Sequence, residues 1–515
     1  MSGHENQARP LRVGLISLGC AKNLVDAEIM LGTLLRDGYE ITNDLAASDA
    51  VIVNTCSFID DAQEESVDAI LESAHIRDAL RPNQALIVSG CLPQRFRDDL
   101  PKALPEVDAF IGIDQVTAVA RIVRQAVARR TAWLQKAEDA RAPVLTVSRR
   151  PVFIPDCGTP RFRLTPRHLA YVKIAEGCNH ACSFCIIPRM RGSHRSRPQH
   201  DIVEEARRLL AEGAKELNLI SQDSTYYGLD LQPKADVRTM TDPKRFGDAI
   251  RALPERAATI CSLLRALNDL PGDFWIRLLY THPAHWTDEL IETIARCRKV
   301  ARYVDIPLQH IHPVILEQMR RRTPPEHITG LLRRIRADIP GIVLRTTFIV
   351  GFPGETDAHF KTLLEFIRTR RFERMGVFAY SQEKGTVAGR MPKQVPESIR
   401  QRRRDQAMAV QKQIAREHAS SQLGRRVRVL IEGTLDEARL DAVREMPWNN
   451  SLARVGGRAK ASWMRGVCAV GRTEADAPEI DGCVYVPGQL PPGAFVSVRI
   501  LDHADYDLLG EPVYE

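Results

Sequence analysis

No stretch of the chain is apolar for long enough to span a bilayer, so no membrane-embedded role is expected. The first ten residues, MSGHENQARP, lack an apolar h-region, so no signal peptide is expected and the protein is expected in the cytoplasm. Extreme charge is lacking too. A net charge of +7 over 515 residues permits a nucleic-acid or ribosomal partner without demanding one. A reducing compartment disfavours structural disulfides, and a chain this long has no need of such staples. The eleven cysteines are therefore read as metal or redox groups where they cluster and as packing groups where they stand alone.

What is present is the composition of an ordinary folded protein, 44% hydrophobic and 27% charged. At roughly 150 residues per domain, about three domains are expected. Between 11 and 125, short continuous apolar runs (LRVGLISL, 11–18; DAVIVNT, 49–55; QALIVSG, 84–90) alternate with polar helix-forming stretches at 23–38 and 60–80. That alternation predicts a doubly wound α/β domain on a parallel sheet, with Gly38 as a helix C-cap. Residues 126–168 lose the pattern and read as a linker. A second alternating region, 169–405, carries strand candidates at 170–176, 216–221, 274–280, 303–309, 341–351 and 374–381. It predicts a full or partial (β/α) barrel with its site at the carboxyl ends of the strands. Residues 228–260 read as a long irregular loop, and 394–420 as a charged connecting helix. From 421 to 515, short strands such as 425–433 and 495–503 among Gly and Pro predict a small antiparallel β-barrel. The expectation is an α/β multidomain protein.

The strongest local signal is Cys178-Asn-His-Ala-Cys182-Ser-Phe-Cys185, just after a predicted strand. Three thiolates on one loop can grip three irons of a cubane cluster and leave the fourth open to chelate S-adenosylmethionine (SAM). An electron from such a cluster can break the carbon–sulfur bond of SAM and release a 5′-deoxyadenosyl radical. The alternative is a zinc site that includes His180, but structural zinc takes four ligands and no second cysteine pair lies nearby. Gln222, Asp223 and Ser224 follow one predicted strand, and Gly351-Phe-Pro-Gly354-Glu355 follows another. Phe184, Gln222 and Gly351 are the expected SAM contacts; an ordinary Gly-Pro turn is the alternative for the last.

A second pattern lies in the first domain. Cys20, Cys56 and Cys91 each stand at or just beyond the end of a predicted parallel strand, at intervals of 36 and 35 residues. Ligand crevices of open α/β sheets lie outside those ends, so the three thiols are expected to converge on a second cubane cluster with one open iron. The alternative is three buried cysteines acting as small hydrophobes. Cys157, Cys261, Cys297, Cys468 and Cys483 have no such partners and read as packing residues.

With both triads in place, the sequence resembles the radical SAM methylthiotransferase family from about residue 11 to the end. The resemblance implies an N-terminal domain (11–125) with an auxiliary 4Fe-4S cluster on Cys20, Cys56 and Cys91. It implies a radical SAM core (169–405) whose 4Fe-4S cluster, on Cys178, Cys182 and Cys185, exchanges with SAM, and a TRAM barrel (421–515) marked by ADAPEIDG (475–482). SLGCAKNLVDAE (17–28), NTCSFIDDAQEES (54–66), GCLPQRF (90–96) and KIAEGCNHACSFCIIPRMRGSHRSRP (173–198) resemble its RimO branch. That branch methylthiolates the β-carbon of an aspartate in small-subunit ribosomal protein S-twelve. The branch acting on isopentenyl-adenosine in tRNA usually shows GCQMN where this chain has Gly19-Cys-Ala-Lys-Asn23. THPAHW (281–286) and the 228–260 stretch depart from the family pattern. The resemblance also implies an electron donor such as flavodoxin or ferredoxin and a sulfur donor. No general base is named, and His180 and His310 read as structural or as supporting groups behind the site. Residues 421–515 hold 11 Lys/Arg against 14 Asp/Glu, about −3, which suits a basic ribosomal protein better than tRNA phosphates. tRNA methylthiolation and a non-catalytic, metal-stabilised RNA-binding scaffold stay as alternatives.

Overall fold

A computed structural model describes residues 9–137, 142–232, 241–446 and 466–514. The chain divides into two compact units. One comprises Met1–Leu164, Ala175–Asn179 and Cys185–Arg197; the other comprises Thr165–Ile174, His180–Phe184 and Pro198–Glu515.

The first unit is built on six parallel strands: β1 (Arg12–Ser17), β2 (Glu40–Ile41), β3 (Ala50–Thr55), β4 (Ala85–Gly90), β5 (Ala109–Ile111) and β6 (Val144–Thr146), in the order β2-β1-β3-β4-β5-β6. β3 and β4 are buried along their whole length, as continuous apolar runs require. The helix Ala21–Arg36 ends in a Schellman turn: Tyr39 N–H bonds to Leu34 O and Gly38 N–H to Leu35 O. Gly38 is thus one residue past the cap.

The 126–168 stretch is not irregular throughout. The helix Val119–Leu134 runs into it, and β6 adds an edge strand beside β5, with Ala109 opposite Val144. Val119, Ile122, Val123 and Ala126 form that helix's buried face, at a helical spacing that its many Arg and Ala residues obscure. The described chain from 147 to 168, after β6, has neither helix nor strand. Glu28 ties it down, accepting from the Arg161 side chain (2.8 Å) and from Leu164 N–H (2.8 Å).

The chain continues through β7 (Leu169–Lys173). The ribbon of β8 (Ala175–Glu176) and β9 (Arg195–Ser196) belongs to the first unit. β10 (Glu216–Ile220), β11 (Trp275–Leu278), β12 (Val300–Asp305), β13 (Val343–Val350) and β14 (Arg374–Ala379) complete a parallel sheet with β7, in the sequential order of a partial barrel. Part of the expected loop at 228–260 is the helix Pro243–Arg251, capped by Asp242, whose carboxylate accepts from Arg245 N–H at 2.9 Å. Its Phe246 is buried, with Ala249, Ile250 and Leu253 beside it. This i, i+3, i+4, i+7 spacing was present in the sequence. Residues 233–240 of that stretch lie outside the described residues.

β15 (Arg426–Thr434), β16 (Cys468–Thr473), β17 (Val484–Pro487), β18 (Phe495–His503) and β19 (Leu508–Pro512) form a closed barrel. It is not wholly antiparallel, because β17 and β19 run parallel. Some of its acids turn inward. Asp476 and Asp502 are buried, the Arg374 Nε donates to Asp476 at 3.2 Å, and the Tyr303 hydroxyl donates to Asp481 at 2.7 Å. Glu216, buried at the start of β10, accepts from Arg277 (2.6 Å) and from Arg472 of β16 (2.7 Å).

Candidate active site

β1, β3 and β4 are neighbours in the first sheet, and the three first-domain cysteines follow them. Cys20 caps the helix Ala21–Arg36, Cys56 comes directly after β3, and Cys91 directly after β4. Cys20 is exposed, while Cys56 and Cys91 are buried; none is in a disulfide. Gly19 and Gly90 bring these chain segments close. Gly19 has φ +90°, and a Cβ on it would lie 2.7 Å from Cys56 Cβ and 3.1 Å from its sulfur. Gly90 has φ +96°, and a Cβ there would lie 2.5 Å from Thr55 O. Only glycine accepts both the conformation and the contact.

Asn23 fastens the strand ends together. Its Nδ2 donates to Leu18 O (3.0 Å) and Thr55 O (2.7 Å), and Asn54 Nδ2 donates to Asn23 O (2.8 Å). The thiols influence one another. Burial pushes Cys91 up to about 11; Arg191 opposes this, and Cys20 and Cys56 add to it. Burial also raises Cys56. For Cys20 the burial cost is outweighed by Lys22, Arg191 and the N–H groups of Asn23 and Lys22, so its thiol lies below the ordinary range. A sulfur donor set at three adjacent strand ends fits an iron–sulfur cluster and not a hard oxygen-loving cation.

Arg191 was not singled out by sequence reasoning. Its buried guanidinium donates to Cys91 Sγ (3.3 Å), to Asn23 Oδ1 (2.9 Å) and to both oxygens of Glu176 (3.0 Å each). In the sequence it was one basic residue among several in RMRGSHRSR.

The second triad lies on the loop after β8. Cys178, Cys182 and Cys185 are all half-exposed. Cys178 and Cys185 group with the first unit and Cys182 with the second. Cys178 N–H donates to Gly192 O at 3.1 Å. In the second unit, Arg321 Nη1 lies 3.9 Å from Cys182 Sγ, and Ser183 is held by Met319 O (3.1 Å) and Gln318 O (2.7 Å).

Of the expected SAM contacts, Phe184 packs against a buried cluster of Ile315, Met319, Phe352, Tyr380 and Ala388. Gln222 sits just past β10, half-buried. Gly351 does not open its α-carbon to a ligand: a Cβ there would lie 2.2 Å from Arg400 Cγ. The close approach it permits is to that arginine, and its N–H donates to Glu355 at 3.0 Å.

The structure also gathers His180, His282 and His285, whose ring nitrogens all lie within 4.8 Å of one another. Asp223 Oδ2 sits between two of them, 2.7 Å from His180 Nε2 and 2.8 Å from His285 Nδ1. Despite burial, the flanking imidazoles hold Asp223 well below the ordinary carboxylate range. Burial, with His180 and Arg321 nearby, pushes His282 well below the ordinary imidazole range. Asp223 already engages two of the three rings, by a hydrogen bond to His180 and a charged contact to His285. Sequence reading placed THPAHW near a strand end without joining it to His180 and Asp223. His310, expected to be structural, accepts the N–H of His312 at 3.0 Å.

Cys261 and Cys297 lie in the main core, Cys468 is buried in the barrel, and Cys483 packs beside it. Cys157 is half-exposed.

Among the described residues, no helix is long and apolar enough to cross a membrane. Residues 12–112 match the uncharacterized protein family UPF0004, residues 172–367 the radical SAM superfamily, and residues 464–513 the TRAM domain. The superfamily match supports dependence on SAM and an iron–sulfur cluster. A protein of Opitutus terrae described as ribosomal protein uS12 methylthiotransferase RimO is 50% identical, over 98% of this chain and 97% of its own length. Proteins of the same description from Akkermansia muciniphila (47% identical, 98% of this chain, 100% of its own) and Pelotomaculum thermopropionicum (42%, 98% and 99%) match equally fully. With two cysteine triads past strand ends and relatives of one description along nearly its entire length, the chain belongs to the RimO family of ribosomal protein uS12 methylthiotransferases and is a radical SAM methylthiotransferase.

Proposed function

We propose that this chain places a methylthio group on the β-carbon of an aspartate in ribosomal protein uS12, using two 4Fe-4S clusters. Cys178, Cys182 and Cys185 hold the cluster that exchanges with SAM, and Cys20, Cys56 and Cys91 hold the auxiliary one. The observation that carries this reading is the grouping of Cys20, Cys56 and Cys91 at the ends of β1, β3 and β4, with Arg191 on one of their sulfurs. When bound, the clusters and SAM supply the radical that removes hydrogen from an unactivated carbon and the sulfur that replaces it. The chain's own residues do the positioning: Asn23 locks the strand ends, while Gln222 and Phe184 flank the place proposed for SAM. An electron donor such as flavodoxin or ferredoxin and a sulfur donor complete the cycle.

Two measurements test this. Anaerobically purified protein should carry two clusters' worth of iron and sulfide, and alanine at Cys20, Cys56 and Cys91 should remove half. Mass spectrometry of uS12 should show the methylthio mass on aspartate only in cells that hold the gene. If uS12 carries it without the gene, the substrate is wrong; loss of a methylthio-adenosine from tRNA instead would move the activity to RNA.

A further inference from the structure

One arginine joins the two sulfur-bearing stretches of the first unit. Arg191 lies six residues after Cys185, at the end of the short helix Ile187–Arg191, with only 2% of its side chain exposed. On one side, its Nη2 is 3.3 Å from Cys91 Sγ and 2.9 Å from Asn23 Oδ1. On the other, its Nη1 is 3.0 Å from both oxygens of Glu176 and 3.3 Å from Asp26 Oδ2. Glu176 stands two residues before Cys178, and the Cys178 N–H bonds to the carbonyl of Gly192, the residue after Arg191.

A fixed cation bonded to a ligating sulfur acts more strongly on the reduced cluster, which carries one more negative charge, than on the oxidised one. Hydrogen bonds to cluster sulfurs and local charge are the levers by which a protein sets such potentials. Out of water, both act at greater strength. The planar fork of arginine can reach a thiolate and a carboxylate at once; a lysine ammonium cannot reproduce that span.

We propose that Arg191 is a positioning residue that raises the reduction potential of the cluster on Cys20, Cys56 and Cys91, and that Glu176, from the strand leading into Cys178, counterbalances it. This rests on the two-cluster reading above, and the experiment separates the two. The full chain with Cys178, Cys182 and Cys185 changed to alanine retains only the auxiliary cluster, whose midpoint is read by potentiometric titration followed by electron paramagnetic resonance. In that background, Arg191→Gln is expected to move the midpoint to more negative values, with iron per chain unchanged. Glu176→Gln, which keeps Arg191 and removes its counter-charge, is expected to move it the opposite way. Arg191→Lys restores the charge without the fork and should fall between Arg191→Gln and the parent. Unchanged midpoints and spectra in iron-replete variants would overturn the role of Arg191. A parent that binds no iron would overturn the auxiliary cluster itself. If Arg191→Gln does not fold, because Glu176 and Asp26 lose a buried ion-pair partner, the sign of the Glu176→Gln shift decides.

Discussion

Gly19 and Gly90 each precede a cysteine and each sit where any other residue is strained. The left-handed conformation alone costs an ordinary residue about 1–2 kcal/mol, and a Cβ at 19 would also meet Cys56 at 2.7 Å. Gly19→Ala is therefore expected to lower first-domain iron content with a stability loss of about 1–3 kcal/mol, measured by iron assay and denaturant titration. The thiols themselves should differ in reactivity. In metal-free protein near neutral pH, Cys20, exposed and lowered by Lys22 and Arg191, should be alkylated first. Cys91, buried and pushed up to about 11, should react last, and its rate should rise as pH climbs toward that value. Peptide mapping after timed iodoacetamide treatment reads this order. The position of Cys20, Cys56 and Cys91 just past strands was legible because β1, β3 and β4 announce themselves as apolar runs. Arg191 was not, because nothing in a basic stretch distinguishes the one guanidinium that turns inward to meet Glu176 and Cys91.

At the scale of elements, the same contrast holds. Strands such as Ala50–Thr55 and Ala85–Gly90 are buried on both faces and read directly as apolar runs. The edge strand Val144–Thr146 is three residues long and only half-buried, too short and too wet to leave a pattern. The helix Pro243–Arg251 was hidden by the polar residues around it, yet its one deeply buried side chain matters to the site. Phe246 stacks on His285 with ring centroids 4.1 Å apart, and His285 in turn holds Asp223. Phe246→Ala should cost about 3–5 kcal/mol locally. Hydrogen exchange should show faster opening of 243–251, and with it weaker SAM binding, while the first unit's exchange is unchanged.

At the scale of the whole molecule, the three-part plan of α/β domain, partial barrel and small closed barrel was legible from the alternation of patterns. The fastening of barrel to sheet was not, because it depends on long-range ion pairs. Glu216, bonded to Arg277 and Arg472, is held below the ordinary carboxylate range: burial raises it, but the two guanidiniums outweigh that. A depressed carboxylate contributes stability that is fully present above its unfolded value, near 4.5, and is lost as pH falls through its folded value. This loss should therefore set in as pH falls below about 4.5 and deepen toward the folded value. Glu216→Gln, which takes the carboxylate from buried Arg277 and leaves Arg472 with Glu432 alone, should cost about 3–5 kcal/mol at neutral pH and flatten the acid limb of the stability curve, as followed by circular dichroism.

That fastening also bears on how such a protein can change over generations. The barrel is attached by Glu216, Trp275 and Arg374, the first residues of their strands, through Arg472, Phe495 and Asp476. Asp223 and the histidines His282 and His285 lie past the opposite ends of β10 and β11. Descendants can therefore remodel the outer wall of the barrel, and with it whatever macromolecule is handled there, without disturbing the chemistry, provided each inherited copy keeps the few inward residues that form its socket.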